Sequence, residues 1–204
     1  MELTHAVRTR RMIRSYDPVR SVSPILVKML LKQALRAPSA GHTPGRRFLI
    51  LDDITSRSAF WSATSSGPAD SWRRRMATAP VLVVCFCDRQ AYLDRYAEPD
   101  KATSSLATGS DWAIPYWHVD TGMAAMILLL AAHDAGLGAC FFGVPYDRWP
   151  ELFAAFDVPG GLAPVGVVSL GYPASDRRSA SLNRPHPTFD EQVSYRSFGS
   201  SPER

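Results

Sequence analysis

The sequence predicts one domain, residues 1–204, in which helices cover a β-sheet of the α+β or α/β class. The first observation behind this prediction is residues 119–135, which are apolar around every face of a helix, as in a helix buried on all sides. The second is residues 81–87, which are continuously apolar, as in a buried central strand. The third is the alternation of predicted strands and helices along a chain long enough to bury a substantial core.

The predicted central helix is bounded by short polar side chains and by glycines. Asp120 or Thr121 can cap its start, because a short side-chain oxygen accepts a hydrogen bond from an amide that has no partner inside the helix. Gly136 and Gly138 are expected to end it, since glycine adopts the left-handed conformation without steric cost. The uninterrupted apolar run, residues 123–132, is too short to span a bilayer, so no membrane partner is predicted.

The other elements follow from caps and apolar spacing. Ser23 is a good N-cap and Pro24 a good first helical residue, and Pro38 is expected to end that helix. Further helices are predicted at residues 3–9, 54–61, 89–96 and 147–156, and strands at residues 46–52, 81–87, 139–144 and 164–171. The connection at residues 88–115 is long, and such a loop in a compact domain is usually functional or mobile.

The net charge of +4 raises the question of nucleic-acid binding. The arginines fall in separate clusters: Arg8, Arg10, Arg11 and Arg14; Arg46 and Arg47; Arg73, Arg74 and Arg75; and Arg177, Arg178 and Arg184. They do not form one stripe interleaved with aromatic residues. Separate clusters suit a small anionic ligand or a solvated surface better than a duplex, so no nucleic-acid partner is predicted.

The first residues and the cysteines bear on location and on metal binding. No apolar secretory segment opens the sequence, and three cysteines are an odd number, so we expect a cytoplasmic protein without a disulfide framework. Cys85, Cys87 and Cys140 lie in apolar runs and are predicted to be small buried residues. No CxxC pair or HExxH motif occurs, so no metal site is predicted. His133 is interpreted as a hydrogen-bonded core residue.

The sequence contains no GxGxxG after a strand, no P-loop and no GxSxG elbow, so those nucleotide sites and that nucleophile are not indicated. What it does contain, in order, is RTRRMIRSYDP, ALRAPSAGHTPGRRFLIL, GLGACFFG, PVGVVSLGYP and a basic tail. Together these segments resemble the flavin-dependent nitroreductase family over nearly the whole chain.

The resemblance implies an α+β fold with a mixed sheet of four to five strands, flanked by helices around a buried central helix. It implies a homodimer whose C-terminal tails, residues 180–204, are exchanged between subunits. It further implies FMN at the subunit interface and NADH or NADPH as the reductant. The implied reaction is ping-pong hydride transfer to a small acceptor of the aromatic, quinone or nitro type. No catalytic side chain is predicted, since the flavin performs the chemistry.

The resemblance also implies which residues hold FMN. Arg10, with Arg184 from the tail, would form charge-assisted hydrogen bonds to the phosphate. Arg11 and Met12 would lie along the ribityl chain and the flavin edge. Arg14 would stabilise the negative charge that reduced flavin gathers near N1 and O2. Arg74 or Arg75 is implied beside Arg14. The turn Pro38, Ser39, Ala40 and Gly41 would let the backbone approach the flavin closely. One face of the flavin would be covered by Cys140, Phe142 and Gly143.

Several positions depart from the family pattern. Met12 stands where many relatives have serine, and Asn183 stands where lysine is common. Residues 43–46 replace a stretch in which relatives often place an amide side chain and a tryptophan. Trp112 and Tyr116 either line a pocket for a flat substrate or pack the long connection onto the domain.

Three alternatives stay open at the level of sequence. The same flavin-binding residues would serve a dehydrogenase that oxidises a biosynthetic intermediate and is itself re-oxidised by oxygen. They would also serve a protein that stores or senses flavin without turnover. The departures at Met12, Pro44 and Asn183 leave a flavin-free structural dimer as the third alternative.

Overall fold

The structure is a computed structural model that describes residues 2–101, 106, 111–175 and 183–200. Arg177, Arg178 and parts of the 88–115 connection and of the tail lie outside the described residues. The described strands are β1 (Arg46–Leu51), β2 (Val81–Asp88), β3 (Gly138–Phe142) and β4 (Leu162–Gly171), in the sheet order β1-β2-β4-β3. The α+β class is confirmed.

The pairing within this sheet is antiparallel throughout, between β1 and β2, β2 and β4, and β3 and β4. Parallel pairing, which the predicted mixed sheet required, is confined in the described residues to an isolated bridge between Met12 and Ala139. The bridge matters for the site, because it attaches the arginine-rich N-terminal segment to the edge of β3.

The helices are α1 (Leu3–Thr9), α2 (Pro24–Ala34), α3 (Ile54–Ala63), α4 (Ser71–Met76), α5 (Arg89–Tyr96), α6 (Tyr116–Asp134), α7 (Trp149–Ala155) and α8 (Phe189–Gln192). The predicted bounds of α1 and α5 are confirmed. Helix α4 is absent from the sequence prediction, and a carboxylate N-cap explains it: Asp70 accepts a hydrogen bond from the Arg73 amide. Helix α2 ends before Pro38, as the proline predicts, although its last residue is Ala34.

The central helix α6 begins earlier than predicted, and its caps are not the predicted ones. Neither Asp120 nor Thr121 is the N-cap residue, since the helix already starts at Tyr116. Val119 and Met126 are 42% and 39% exposed, so the expectation of a helix buried on every side is wrong for the single chain. An apolar surface on a central helix indicates that something else covers it.

The two glycines after α6 serve different purposes. Gly136 has a φ of +76°, and the Leu137 amide donates a hydrogen bond to the Ala132 carbonyl, so this glycine ends the helix as predicted. Gly138 is instead the first residue of β3. A Cβ at Gly138 would lie 2.9 Å from Ile13, so the residue is needed for the close approach of the N-terminal segment.

The sheet separates two apolar layers, and β2 contributes to both. Val83 and Cys85 pack in the layer that holds α2 and α6, while Leu82 and Val84 pack in the layer that holds Phe60 of α3. Burial on both faces explains why the sequence of β2 is apolar without alternation. Cys85, Cys87 and Cys140 are buried, which confirms their prediction as core residues. No helix among the described residues is long and apolar enough to cross a bilayer.

Candidate functional site

The arginine-rich segment before α2 lies against the edge of β3. The Ile13 amide donates to the Ala139 carbonyl at 2.9 Å, and the Phe141 amide donates to the Met12 sulfur at 3.4 Å. The Met12 thioether thus accepts a backbone hydrogen bond and holds the segment in register. Two predicted groups, residues 10–14 and residues 140–143, become neighbours although more than 120 positions separate them in the chain.

Arg10 faces a cavity of about 380 Å³ where α1, the end of α6 and the start of β3 meet. We call it the Arg10 cavity; it is lined by residues that include Thr9, Arg10, Arg11, Ile13, His133 and Gly138. Nε and one terminal nitrogen of the Arg10 guanidinium are buried and have no hydrogen-bond partner among the described residues. Leaving buried charged donors unsatisfied is costly. A phosphate fits this arrangement, because its oxygens would accept hydrogen bonds from the unpaired N–H groups of Arg10 and would lie beside a second arginine, Arg11.

Thr9 and His133 form a hydrogen-bonded pair on the wall of the Arg10 cavity. Thr9 donates its hydroxyl proton to the His5 carbonyl at 2.7 Å, and its Oγ1 lies 2.8 Å from His133 Nε2. Since the single hydroxyl proton is already donated, His133 Nε2 must carry a proton and donate to Thr9. The prediction that His133 is hydrogen-bonded is confirmed, yet it is only half-buried and faces the cavity.

The segment continues past Arg14 to a buried tyrosine that anchors it. Tyr16 is 1% exposed; its hydroxyl donates to the Ile13 carbonyl at 2.6 Å and lies 2.7 Å from Ser169 Oγ. The half-buried Arg14 donates to the Met12 carbonyl at 3.2 Å. These bonds hold the Arg14 guanidinium close to the edge of β3.

The end of helix α4 reaches the same segment through Thr78. The Thr78 hydroxyl accepts the Tyr16 amide at 3.0 Å and donates to the Arg75 carbonyl at 2.7 Å. Arg74 instead lines a second cavity, between α3 and α4, together with Arg57 and Arg73. The described lining residues of this cavity and of the Arg10 cavity do not overlap, so the structure does not bring Arg74 to Arg10.

Charged side chains hold the PSAG turn, residues 38–41, from three directions. Arg46 donates to the Ala37 and Pro38 carbonyls at 2.8 and 3.0 Å, and Arg95 donates to the Gly41 carbonyl at 2.8 Å. The Ala40 amide donates to Asp120 Oδ2 at 2.8 Å. Gly41 has a φ of +63°, and a Cβ there would lie 2.9 Å from the Tyr96 ring, so glycine is required. Ser39 and Ala40 are half-buried within this fixed turn.

Asp120 is the buried centre of the hydrogen bonds behind the turn. It is 1% exposed, and its Oδ2 accepts from the Tyr92 hydroxyl at 2.7 Å as well as from the Ala40 amide. Burial, and then the hydrogen bond to Asp120, raise the pKa of Tyr92, so this phenol stays protonated and remains a donor. The position of Asp120 at the start of an apolar run indicates a helix cap and carries no local signal of this role.

The residues at the end of β3 differ in exposure. Cys140 is buried, and Phe142 stacks on Trp61 with ring centroids 5.7 Å apart and an angle of 6° between planes. Gly143 is exposed, and a Cβ there would meet nothing within 4 Å. The strand therefore ends in an open glycine backbone beside a packed aromatic cluster.

The remaining predicted residues lie in two other places. Trp112 is half-buried, donates its indole N–H to the Leu106 carbonyl at 2.6 Å, and packs edge-on against Tyr96 and Trp117. Tyr116 is exposed beside it. This packing favours the structural interpretation of Trp112, while the substrate pocket stays a prediction. Arg184 is exposed and is not among the described residues that line the Arg10 cavity.

The described residues contain no group of three or more histidine, cysteine, aspartate or glutamate side chains that could hold a metal ion. Arg10, Arg11 and Arg14 bring positive charge to the candidate site. Such a charge distribution is suited to a phosphorylated organic ligand.

Comparison with known proteins matches residues 7–172 to the model of the Nitroreductase family. A protein of Methanothermobacter thermautotrophicus, provisionally named NADH dehydrogenase/NAD(P)H nitroreductase, is 30% identical over 91% of this chain and 84% of its own length. A protein of the same provisional name from Archaeoglobus fulgidus is 27% identical over 86% of this chain and 88% of its own.

Solved structures resemble the fold over nearly its full length. An oxidoreductase, provisionally so named, from Bacteroides fragilis has a TM-score of 0.74 at 20% identity, covering 97% of this chain and 75% of its own. A provisionally named nitroreductase from Exiguobacterium sibiricum, solved in complex with FMN, has a TM-score of 0.66 at 19% identity. That match covers 92% of this chain and 98% of the other.

Proposed function

The chain belongs to the nitroreductase family, and from that premise we propose that it is an FMN-dependent oxidoreductase. It would take hydride from NADH or NADPH and deliver it to a small acceptor of the aromatic, quinone or nitro type. The observation that supports this proposal most directly is the Arg10 guanidinium on the wall of a cavity next to β3, where two of its nitrogens are buried and have no partner among the described residues. An anionic cofactor in that cavity would supply the missing acceptors.

Bound FMN would supply hydride chemistry, and the protein's part is to bind and polarise it. Arg10 and Arg11 would bind the phosphate through charge-assisted hydrogen bonds. Arg14, held by the Met12 carbonyl, would keep a fixed positive charge at the edge of β3. Such a charge favours negative charge on a neighbouring ring system. The assignments of Arg74 and Arg184 to the flavin stay predictions.

The proposed site also uses the PSAG turn. Hydrogen bonds attach this turn to α5 and α6, whereas the arginine-rich segment is attached to β3, so the two surfaces lie on different elements of the chain. We infer that a second copy of the chain brings these two surfaces together in a homodimer. Exposed apolar side chains on three helices that pack together support this: Leu3 and Val7 on α1, Ile25 and Met29 on α2, and Val119 and Met126 on α6. We call these six residues the helical apolar face. Exchange of the tails stays a prediction.

The first experiment is a visible absorbance spectrum of the purified protein with FMN, recorded before and after addition of NADH and of NADPH. Flavin bands that bleach with either nucleotide would support a reductase. Bands that persist with both nucleotides but bleach with an organic substrate would indicate a dehydrogenase. A flavin that neither treatment bleaches would indicate storage. A protein that binds no FMN would overturn the proposal.

The Arg10→Gln variant tests the observation on which the proposal depends. Hydrogen bonds to a charged group contribute about 1.5–3 kcal/mol, so we expect FMN to bind about 10- to 100-fold more weakly. Arg8→Gln is the matched control, because Arg8 is an exposed arginine on the same N-terminal segment. Equal FMN affinity for both variants, measured by fluorescence titration, would place the phosphate elsewhere.

A further inference from the structure

We propose that the cavity between α3 and α4 is a second binding site, for a small organic anion. This α3–α4 cavity has a volume of about 420 Å³ and is lined by Arg57, Arg73, Arg74 and Trp61, together with small and apolar residues. The described residues that line it include no acidic side chain. The proposal does not depend on the proposed flavin chemistry.

The arginines of this cavity form no ion pair with a carboxylate among the described residues. Arg57 donates to the Pro80 carbonyl at 2.7 Å, and Arg73 donates to the Trp61 and Gly67 carbonyls at 2.9 and 3.3 Å. These partners are neutral backbone carbonyls. The bonds fix half-buried guanidinium groups in place and leave their positive charge available to a ligand.

Trp61, which lines the cavity, also carries a buried indole donor. Trp61 is only 9% exposed, and its indole Nε1–H is buried with no hydrogen-bond partner in the described part of the chain. A buried N–H without an acceptor is unfavourable, so a ligand oxygen that reached it would relieve that cost. The Trp61 ring is held rigidly, since it stacks on Phe142 and contacts Trp72 edge-on at 6.2 Å.

The chemistry of the walls limits the ligand. The guanidinium groups select a carboxylate or a phosphate ester, which both accept hydrogen bonds from arginine. The Trp61 ring, Ile54 and Ala77 offer apolar surface to an organic group. The volume is that of a small-molecule site at the lower end of the usual range. A compact aromatic or aliphatic anion meets all three conditions.

The test is isothermal titration calorimetry with phenyl phosphate on FMN-saturated protein, with phenol as the uncharged probe. We expect phenyl phosphate to bind and phenol not to bind. Arg57→Gln and Arg73→Gln should each weaken phenyl phosphate binding about tenfold or more, because each removes a charged donor. Arg36→Gln, at an exposed arginine elsewhere, should leave it unchanged. Equal binding of phenol, or equal affinity in all three variants, would overturn the proposal.

A second readout keeps the test informative if an arginine variant folds poorly. In a ¹H–¹⁵N spectrum of the unsubstituted protein, the indole N–H signal of Trp61, assigned with Trp61→Phe, should shift when phenyl phosphate is added. Phenol should not shift it. A titration in which phenyl phosphate moves only other signals would assign the anion to another site, such as the Arg10 cavity, and would overturn the proposal.

Discussion

Asp120 is a buried carboxylate whose two hydrogen bonds join three parts of the chain. Its Oδ2 accepts hydrogen bonds from the Ala40 amide of the PSAG turn, 80 positions earlier, and from the Tyr92 hydroxyl of α5. A buried charge is tolerated only when such donors satisfy it. Because this single side chain fixes a turn proposed to contact the cofactor, stability and flavin affinity should both depend on it.

Tyr92→Phe should show that dependence. The change removes one donor to a buried carboxylate with little change in shape, so we expect a loss of about 1–3 kcal/mol in the free energy of unfolding. FMN should also bind more weakly, because the turn loses part of its support. Tyr146→Phe, at an exposed tyrosine, is the control. Urea unfolding and flavin titration measure both effects, and a variant indistinguishable from the control would show that Asp120 does not need the phenol.

His118 predicts a dependence of stability on pH. It is half-buried, its Nδ1 is buried and has no hydrogen-bond partner among the residues that the structure describes, and burial lowers its pKa below the ordinary value of 6.5. At pH values between the folded pKa and 6.5, His118 binds a proton in the unfolded chain but not in the folded chain. Stability should therefore fall as the pH decreases from about 6.5 toward the lower folded pKa.

His118→Gln should flatten this part of the profile of unfolding free energy against pH. His186→Gln, at an exposed histidine of the tail, serves as the control and should retain the slope of the unsubstituted protein. The measurement is urea unfolding at a series of pH values. An unchanged slope in His118→Gln would assign the effect to other groups.

At the scale of elements, strand β4 depends on contact between its glycine and the neighbouring strand. A Cβ at Gly166 would collide with the Phe141 ring of β3. Phe141 is itself packed against the core layer that contains α2 and α6, which limits its freedom to move. Gly166 is thus needed for close packing of the sheet rather than for an unusual backbone conformation.

Gly166→Ala should destabilise the fold by about 1–3 kcal/mol through overpacking. Gly160→Ala is a matched control, since its Cβ would meet nothing within 4 Å and its φ is not positive. The control should change the unfolding free energy by no more than about 0.5 kcal/mol. Thermal and urea unfolding of the two variants make the comparison, and equal stabilities would mean that Phe141 moves aside.

The apolar side chains of the helical apolar face are exposed to solvent in a single chain. Met126 and Val119 are seven positions apart on α6, and helices α1 and α2, which carry the other exposed apolar side chains, pack on α6. Exposed apolar side chains grouped on neighbouring helices are typical of an interface. A homodimer that covers this face is what the proposed cofactor site requires.

Met126→Lys should disrupt that homodimer, because a charge on the helical apolar face would be buried in the interface without a partner. Light scattering after size-exclusion chromatography should give a monomer for Met126→Lys and a dimer for Tyr146→Lys, which adds the same charge at a different exposed residue. FMN affinity should fall together with the dimer. A dimer that survives the Met126 substitution would move the interface to another surface.

Local signals in the sequence predict most of the elements, although not helix α4 or the first residues of α6. Continuous apolar character predicts β2, the proline at position 24 predicts the start of α2, and the motifs around Arg10 and Gly143 predict the family. Tertiary structure decides which groups meet. His133 meets Thr9 across 124 positions and Asp120 meets Ala40 across 80, and no periodicity encodes such pairs. Asp120 accepts hydrogen bonds from its neighbours, whereas two buried nitrogens of Arg10 have no partner among the described residues. This difference in hydrogen bonding distinguishes a structural charge from one that is available to a ligand.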